Sequence, residues 1–386
     1  MSWPRDDVKL DRVRAAMREQ ELDALVVRAP DNVLYLTNFW PMKGYDVAVF
    51  PREGDPVLVC LEASADDAER TAWTSEVRFF AGYDPNDPRP PTARTLELAR
   101  SEARGYRRIG LELSLGTQAS DRMVGEPTTY TREWFDGFPN AFDATPLLAR
   151  ARAIKTEQEI ERMRIANAIA AAAMEHVARE LRPGMKESEA AALWEGFVHG
   201  EGTGWEGKVD LALGYSLVWS GPGIRTFTAT GDRPVQENEP TLFEIWVCAD
   251  GYWCDHTKNL CPGKLRAEYV ELEEALGHVY NTMVGMGTHG TPLAELDRSA
   301  RAELAEIGYP GQPSHPICHG VGARAHEPPY AHQAGAGTIE EGMVLAIEPG
   351  VYWKAGGGLR LEDNFLITAD GPEKLSSFPD GIVRTS

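Results

Sequence analysis

The stretch FEIWVCADGYWCDHTKN, Phe243–Asn259, places Glu244 eleven residues before Asp255, with the turn signal Ala249-Asp250-Gly251 between them. The flanking residues are apolar or aromatic and read as the two strands of a buried hairpin. Side chains alternate along a strand, so parity decides which residues share a face. A turn centred on Ala249-Asp250 sets Glu244 directly opposite Asp255. A turn at Asp250-Gly251 makes them diagonal neighbours on the same face. Either register directs two carboxylates to one place among Ile245, Trp246, Val247 and Trp253. Two carboxylates in apolar surroundings repel and are costly to desolvate, and a cation between them removes that penalty. The alternative is a half-exposed hairpin on which one or both acids face water.

Three later segments favour the cation. SHPICHGVGARAHEPPY holds His315, His319 and His326, three of nine histidines, within twelve residues. Gly320 and Gly322 beside them allow the backbone to approach a crowded site. EEGMVLAIEPGVY reads as an apolar strand ending in Glu348, an acid that burial alone does not explain. In GGGLRLEDNFLIT, Arg360 and Glu362 share a face by period two, which as an isolated pattern is an ordinary ion pair. Taken together, Glu244, Asp255, Glu348, Glu362 and His319 form a hard, oxygen-rich ligand set. Such a set suits Mn²⁺, Co²⁺, Fe²⁺ or Zn²⁺ in a working site, not a thiolate-bound structural zinc. Four carboxylates exceed the charge of one divalent ion, so two ions are expected. Paired ions suit hydrolysis, because they activate water and polarise a carbonyl.

The elements that must position these residues are legible along the chain. Asp6 to Gln20 reads as an amphipathic helix with Leu10, Val13 and Met17 on one side. The runs Ala24 to Val27, Val33 to Leu36, Val47 to Phe50, Val57 to Cys60 and Arg107 to Leu113 read as strands. Ala63 to Thr71 and Thr92 to Ala103 read as helices, and DPNDPRPP as an exposed loop. This first part is an α/β domain, residues 1–145. The second, 146–386, opens on a capping box at Thr156 and Glu159, followed by a long helix to about Leu181. Another helix runs from Glu187 to His199. Strands follow near Leu211 to Trp219 and in the hairpin, then helices near Arg266 to Met286 and Leu293 to Ile307. Strands near Val344 to Ile347 and Phe365 to Thr368 complete it. Segregated helices and antiparallel strands argue α+β.

Composition bounds the partners. The chain has 386 residues, 42% of them hydrophobic, and a formal charge of −20 from 39 basic and 59 acidic residues. A surface this acidic repels nucleic acid and anionic lipid, so neither is an expected partner. No apolar run has signal-peptide or bilayer length. Five cysteines without a C-x-x-C pair point to a reducing compartment, and so to a cytoplasmic protein.

In combination and order, DGYWCDHTKN, ICHGVGARAHEPP, EGMVLAIEPG and GLRLEDNFLIT resemble the pita-bread metallopeptidase family of methionine aminopeptidase, aminopeptidase P, prolidase and the metal-free creatinase. RVRAAMREQELDALVVRAPDNVLYLTNF resembles the start of the creatinase-type N-terminal domain, and IKTEQEIERMRIAN the entry to the catalytic domain. The resemblance covers nearly the whole chain. It implies a C-terminal pita-bread fold behind an N-terminal α/β creatinase-like domain, two divalent ions (Mn, Co or Zn) and a homodimer. It further implies that Glu244 binds the first metal, Asp255 and Glu362 bridge, and His319 and Glu348 bind the second. Glu348 would act as general base and proton carrier. His326, seven residues after His319, would contact the substrate carbonyl, and His315 matches a further histidine of aminopeptidase P and prolidase. Arg360 and Arg225 are candidate substrate contacts, Arg225 for an anionic group.

The chain departs from the family twice. Glu244 stands where the family usually has Asp, moving the same oxygens by about a bond length. In VWSGPGIRTFTATGDRP, the family's peptidases place a histidine roughly where Phe227 or Thr228 stands. The expected activity is Xaa-Pro dipeptidase or aminopeptidase hydrolysis of a dipeptide or short peptide. The alternative on the same fold is a small-molecule C–N hydrolase or lyase like creatinase, ectoine hydrolase or the dimethylsulfoniopropionate lyases. For these, tryptophans including Trp219, Trp246, Trp253 and Trp353 would build a cage for a cation. A catalytically dead binding module ranks below both, since all five ligand positions keep coordinating residues.

Overall fold

The computed structural model describes residues 3–42, 44–113, 132–226, 228–353 and 356–385. The chain folds as two units, Met1–Arg152 and Ala153–Ser386. Among the described residues no helix is long and apolar enough to cross a membrane.

In the first unit, α1 (Asp7–Glu19) starts where Asp6 accepts the Lys9 N–H, and it buries Leu10, Val13 and Met17 along one stripe. The sheet has strands β1 (Ala24–Val27), β2 (Val47–Pro51), β3 (Val57–Leu61), β4 (Val77–Phe80), β5 (Ile109–Leu111) and β6 (Phe142–Asp143), in the order β4-β3-β2-β1-β5-β6. Helices α2 (Pro30–Thr37), α3 (Ala65–Thr71), α4 (Pro91–Glu102), α5 (Arg132–Gly137) and α6 (Thr145–Ala153) complete it. Leu147, Leu148 and Ala151 of α6 join the core formed by α1 and the sheet.

The run Val33 to Leu36, expected as a strand, lies inside α2. Pro30 stands in the first turn with its fixed φ, and Asn38 ends the helix in a left-handed conformation, φ 61°. The buried Glu112 carboxylate accepts the Arg28 and Ala29 N–H groups at 2.6 and 2.5 Å and the Asn32 side chain, so the open helix end is satisfied from β5's far end. Every residue from Asn32 to Thr37 is buried, which erases the periodicity that separates helix from strand.

Asp46, at the entrance to β2, is buried and accepts the Leu61 N–H at 2.9 Å. Burial pushes its carboxyl up to about 7. A raised folded-state pKa means that stability is present below the ordinary value near 3.8 and is lost as pH rises through about 7. Asp46→Asn keeps an acceptor oxygen and removes the charge. The variant should come close to the wild type in urea at pH 4 and exceed it at pH 9, by at most about 4 kcal/mol. Equal unfolding midpoints at both pH values would refute this.

In the second unit, the capping box is formed: the Glu159 N–H donates to Thr156 Oγ1 and the Thr156 N–H to the Glu159 side chain. It opens α7 (Glu157–Glu180), followed by α8 (Glu187–Phe197). Strands β7 (Ala212–Ser220), β8 (Thr241–Ala249) and β9 (Tyr252–Pro262) lie side by side, with a last strand, Ile382–Thr385, parallel to β9 on its outer edge. The β8–β9 turn is Asp250-Gly251, both at positive φ (46° and 86°), the geometry that Asp-Gly favours. Trp246 therefore pairs with Asp255 and Glu244 with Thr257, the second of the two registers considered above. Cys254, on the other face, donates its thiol to the Ala166 carbonyl of α7, so Glu244, Trp246, Asp255 and Thr257 face away from that helix.

Helices α9 (Ala267–Met286) and α10 (Leu293–Glu306) cover a second sheet. Its strands are β10 (Cys318–Gly320), β11 (Glu327–Tyr330), β12 (Val344–Ile347), β15 (Asp363–Thr368) and β16 (Gly371–Lys374), ordered β11-β10-β12-β15-β16. The ribbon β13 (Gly350–Tyr352) and β14 (Gly358–Arg360) links β12 to β15, and Ile382–Thr385 is β17. Among the described residues the Thr257–Glu362 bridge joins the two sheets, and the polar residues converge there.

Candidate metal centre

The candidate ligands come from strands or strand ends facing that junction. Asp255 stands in β9, His319 in β10, and Glu348 directly after β12, where its N–H donates to the Ile317 carbonyl. Glu362 occupies the step between β14 and β15. The Asn364 amide links β9 to β15: Asp255 N–H donates to its Oδ1 at 3.0 Å and its Nδ2 donates to the Asp255 carbonyl at 2.8 Å. This two-bond clamp holds the Asp255 backbone against the Glu362 strand.

The donor atoms converge. His319 Nε2 lies 3.5 Å from Asp255 Oδ2 and 3.3 Å from Glu348 Oε1. One donor atom from each of Asp255, His319 and His326 lies within 4.8 Å of the others, and the same holds for His319, Glu348 and Glu362. His319 Nδ1 is 3.0 Å from the Gly320 carbonyl, which can only accept, so Nδ1 carries a proton and Nε2, turned toward the centre, is the atom a metal would take. Among the described residues Asp255 Oδ2 and His319 Nε2 are buried without a hydrogen-bond partner. A divalent cation fits this donor set, because it would satisfy both orphaned atoms and offset the surplus negative charge.

The electrostatics express that surplus. Burial, followed by the charges of Asp255 and Glu348, holds the Glu362 carboxyl well above its ordinary range. Burial acts in the same direction on Glu348, but the His315 charge and hydrogen bond, joined by His319, outweigh it and hold Glu348 well below. His315 Nδ1 lies 3.2 Å from Glu348 Oε2 and 2.7 Å from the Pro316 carbonyl, and its Nε2 lies 3.3 Å from the Tyr352 hydroxyl. His315 thus touches Glu348 without joining the convergent donors.

The structure pairs Glu244 with Arg360 and brings it into neither convergent group. The buried Arg360 guanidinium reaches Glu244 at 2.8 Å, donates to Thr257 Oγ1 at 2.5 Å, and lies 3.6 Å from Glu362 and 4.0 Å from Glu348. Thr257 in turn donates to Glu362 at 2.6 Å. Arg360 is therefore engaged with the acids themselves. Arg225 is exposed on the loop after β7, beside Gly356. Thr228 is exposed, and Phe227 lies outside the described residues.

The tryptophans named for a cage have separate neighbours. Trp219 packs with Ile224 and Leu242, Trp353 lies against Tyr269, and Trp246 meets a site imidazole, His326. Sequence reasoning passed over Thr257, Asn364 and Asp363. The first two lie two residues after Asp255 and Glu362, the spacing of side chains on one strand face, and that signal was available. Asp363 faces the other way and receives Lys258 Nζ at 2.5 Å and the Tyr280 hydroxyl at 3.1 Å behind the centre.

Residues 161–369 match metallopeptidase family M24, and residues 9–165 match the creatinase/prolidase N-terminal domain. An uncharacterized peptidase of Staphylococcus aureus is 24% identical over 379 residues, 96% of this chain and 99% of that protein. The prolidase of Pyrococcus horikoshii OT3 superposes with a TM-score of 0.79 at 24% identity, over 96% of this chain and 99% of its own. The Xaa-Pro dipeptidase of Bacillus anthracis superposes at 0.80 and 21%, over 98% and 99%. These superpositions show the fold: a creatinase-type N-terminal domain followed by a pita-bread domain.

Proposed function

The chain belongs to metallopeptidase family M24, and on that premise we propose that it hydrolyses a dipeptide or short peptide of Xaa-Pro type at a divalent metal centre. The observation that carries this reading is the convergence of Asp255, His319, Glu348 and Glu362, with two buried donor atoms unpartnered and His326 beside them. The likeness to a prolidase and an Xaa-Pro dipeptidase along nearly the whole chain supports the substrate class. Asp255, His319, Glu348 and Glu362 would hold one ion. A second would need Glu244 as a ligand, and Glu244 is paired with Arg360 at 2.8 Å, so that ion would be the weaker of the two.

When bound, the ions supply Lewis acidity toward water and the scissile carbonyl. Glu348, kept ionised by His315 and His319, accepts the proton at a carboxylate oxygen and carries it toward the leaving amine. His326 Nε2, 3.2 Å from Asp255 Oδ2, is placed to donate to the developing oxyanion. His315 holds Glu348 in orientation through the contact at 3.2 Å.

Metal-stripped protein reloaded with Mn²⁺, Co²⁺ or Zn²⁺ and assayed on Xaa-Pro dipeptides, a tripeptide, creatine and ectoine tests the reading. We expect one tightly held ion, a second weak one, and cleavage of an Xaa-Pro dipeptide that chelation abolishes. Thr228, in the region where the family's peptidases place a histidine, favours a second reading, a small-molecule C–N hydrolase. Turnover of creatine or ectoine with every peptide left intact would establish that one instead.

A further inference from the structure

Trp246 occupies the middle of the site face. It pairs with Asp255 on β9 and with Tyr215 on β7, so its indole spans the strand beside the metal centre. The ring stands edge-on to the His326 imidazole, centroids 6.2 Å apart at 62°, and Tyr215 backs it at 5.6 Å. The residue is 4% exposed, and its Nε1–H has no hydrogen-bond partner among the described residues. A buried indole N–H usually finds an acceptor, and leaving it unmatched is costly. Among the described residues Trp194 and Trp219 also bury an unmatched indole N–H, but Trp246 is in ring contact with His326.

A side chain of this size beside the reacting end takes the room that a longer substrate would need. Tyr215 behind it limits how far the ring can swing away. We propose that Trp246 is a specificity-determining residue: its ring closes the β7 side of the site to all but short substrates, and its Nε1–H donates to a carbonyl or carboxylate oxygen of the bound substrate. The proposal rests on the reading of Asp255 and His326 as the reacting end, and it adds a substrate limit that the family does not dictate.

The test compares wild type, Trp246→Phe and Trp246→Ala, all zinc-loaded. Phenylalanine keeps a ring and removes the N–H. Trp246→Phe should lower kcat/KM about tenfold on the best dipeptide, with the dipeptide preference retained. Trp246→Ala should raise the tripeptide-to-dipeptide ratio of kcat/KM by about tenfold or more, and both variants should keep the wild-type metal content. Metal loss in both would make Trp246 a support for Asp255, and an unchanged ratio in the alanine variant would remove its role as a wall. Either result overturns the proposal. A wild type inactive on every peptide counts against the peptidase reading alone. Trp246 is then decided by ¹⁵N-indole spectra: the resonance missing from Trp246→Phe should move on addition of Ala-Pro or creatine to zinc-loaded wild type. No movement with either ligand overturns the proposal.

Discussion

His326→Ala is expected to lower kcat by about a hundred- to a thousand-fold while KM moves less and metal content stays at the wild-type level. The imidazole stands at the edge of the centre, its side chain 13% exposed against 2% for His319, with Nε2 3.2 Å from Asp255 Oδ2. A donor in that place meets charge that develops only in the transition state, so its loss falls on turnover. Its backbone is anchored independently: Glu327, the next residue, forms a buried ion pair with Lys155 at 2.9 Å. The substitution should therefore leave the loop in place. His319→Ala removes a ligand whose Nδ1 is already committed to Gly320, and it should lose metal and activity together. The same three-residue proximity of Asp255, His319 and His326 admits a different outcome. If His326→Ala sheds metal as His319→Ala does, His326 is a ligand and its role as oxyanion donor is wrong.

Arg360→Ala should destabilise the metal-free protein by about 3–5 kcal/mol, the usual cost of stripping the partner from a buried charge. In a unit of this size that corresponds to roughly 10 °C in melting temperature. Burial opposes the guanidinium charge, but Glu244, Tyr352, Glu362 and Glu348 together favour it strongly. Without Arg360, Glu244 and Glu362 lose their cation in a low-dielectric junction. A divalent ion can replace that charge, so Mn²⁺ should raise the melting temperature of Arg360→Ala more than that of the wild type. Calorimetry with and without Mn²⁺ measures both quantities. A metal-free variant that melts with the wild type would mean that the acids are compensated elsewhere, and the account of Arg360 as the internal counter-ion would fail.

Local signals settled much of this protein before any tertiary contact was known. The Thr156–Glu159 capping box, the stripe of Leu10, Val13 and Met17, and the hairpin around Asp250-Gly251 each act over a few residues, and each is formed as its pattern implies. The sequence by itself also identified which acids and histidines to ask about, because carboxylates and imidazoles inside apolar strands demand a cation or a partner. It left the partners open. Whether Glu244 faces Asp255 or lies diagonal to it depended on which two residues made the turn, and the φ values of Asp250 and Gly251 decided that. Val33 to Leu36 became helix because tertiary burial covered every face and removed the period that local reading relies on. Only the tertiary structure brought Arg360 to Glu244, 116 positions earlier in the chain, and set Trp246 against His326. Charge pairing and ring contact reach a few ångströms through space, and sequence spacing carries no measure of that distance once two sheets meet at the Thr257–Glu362 bridge.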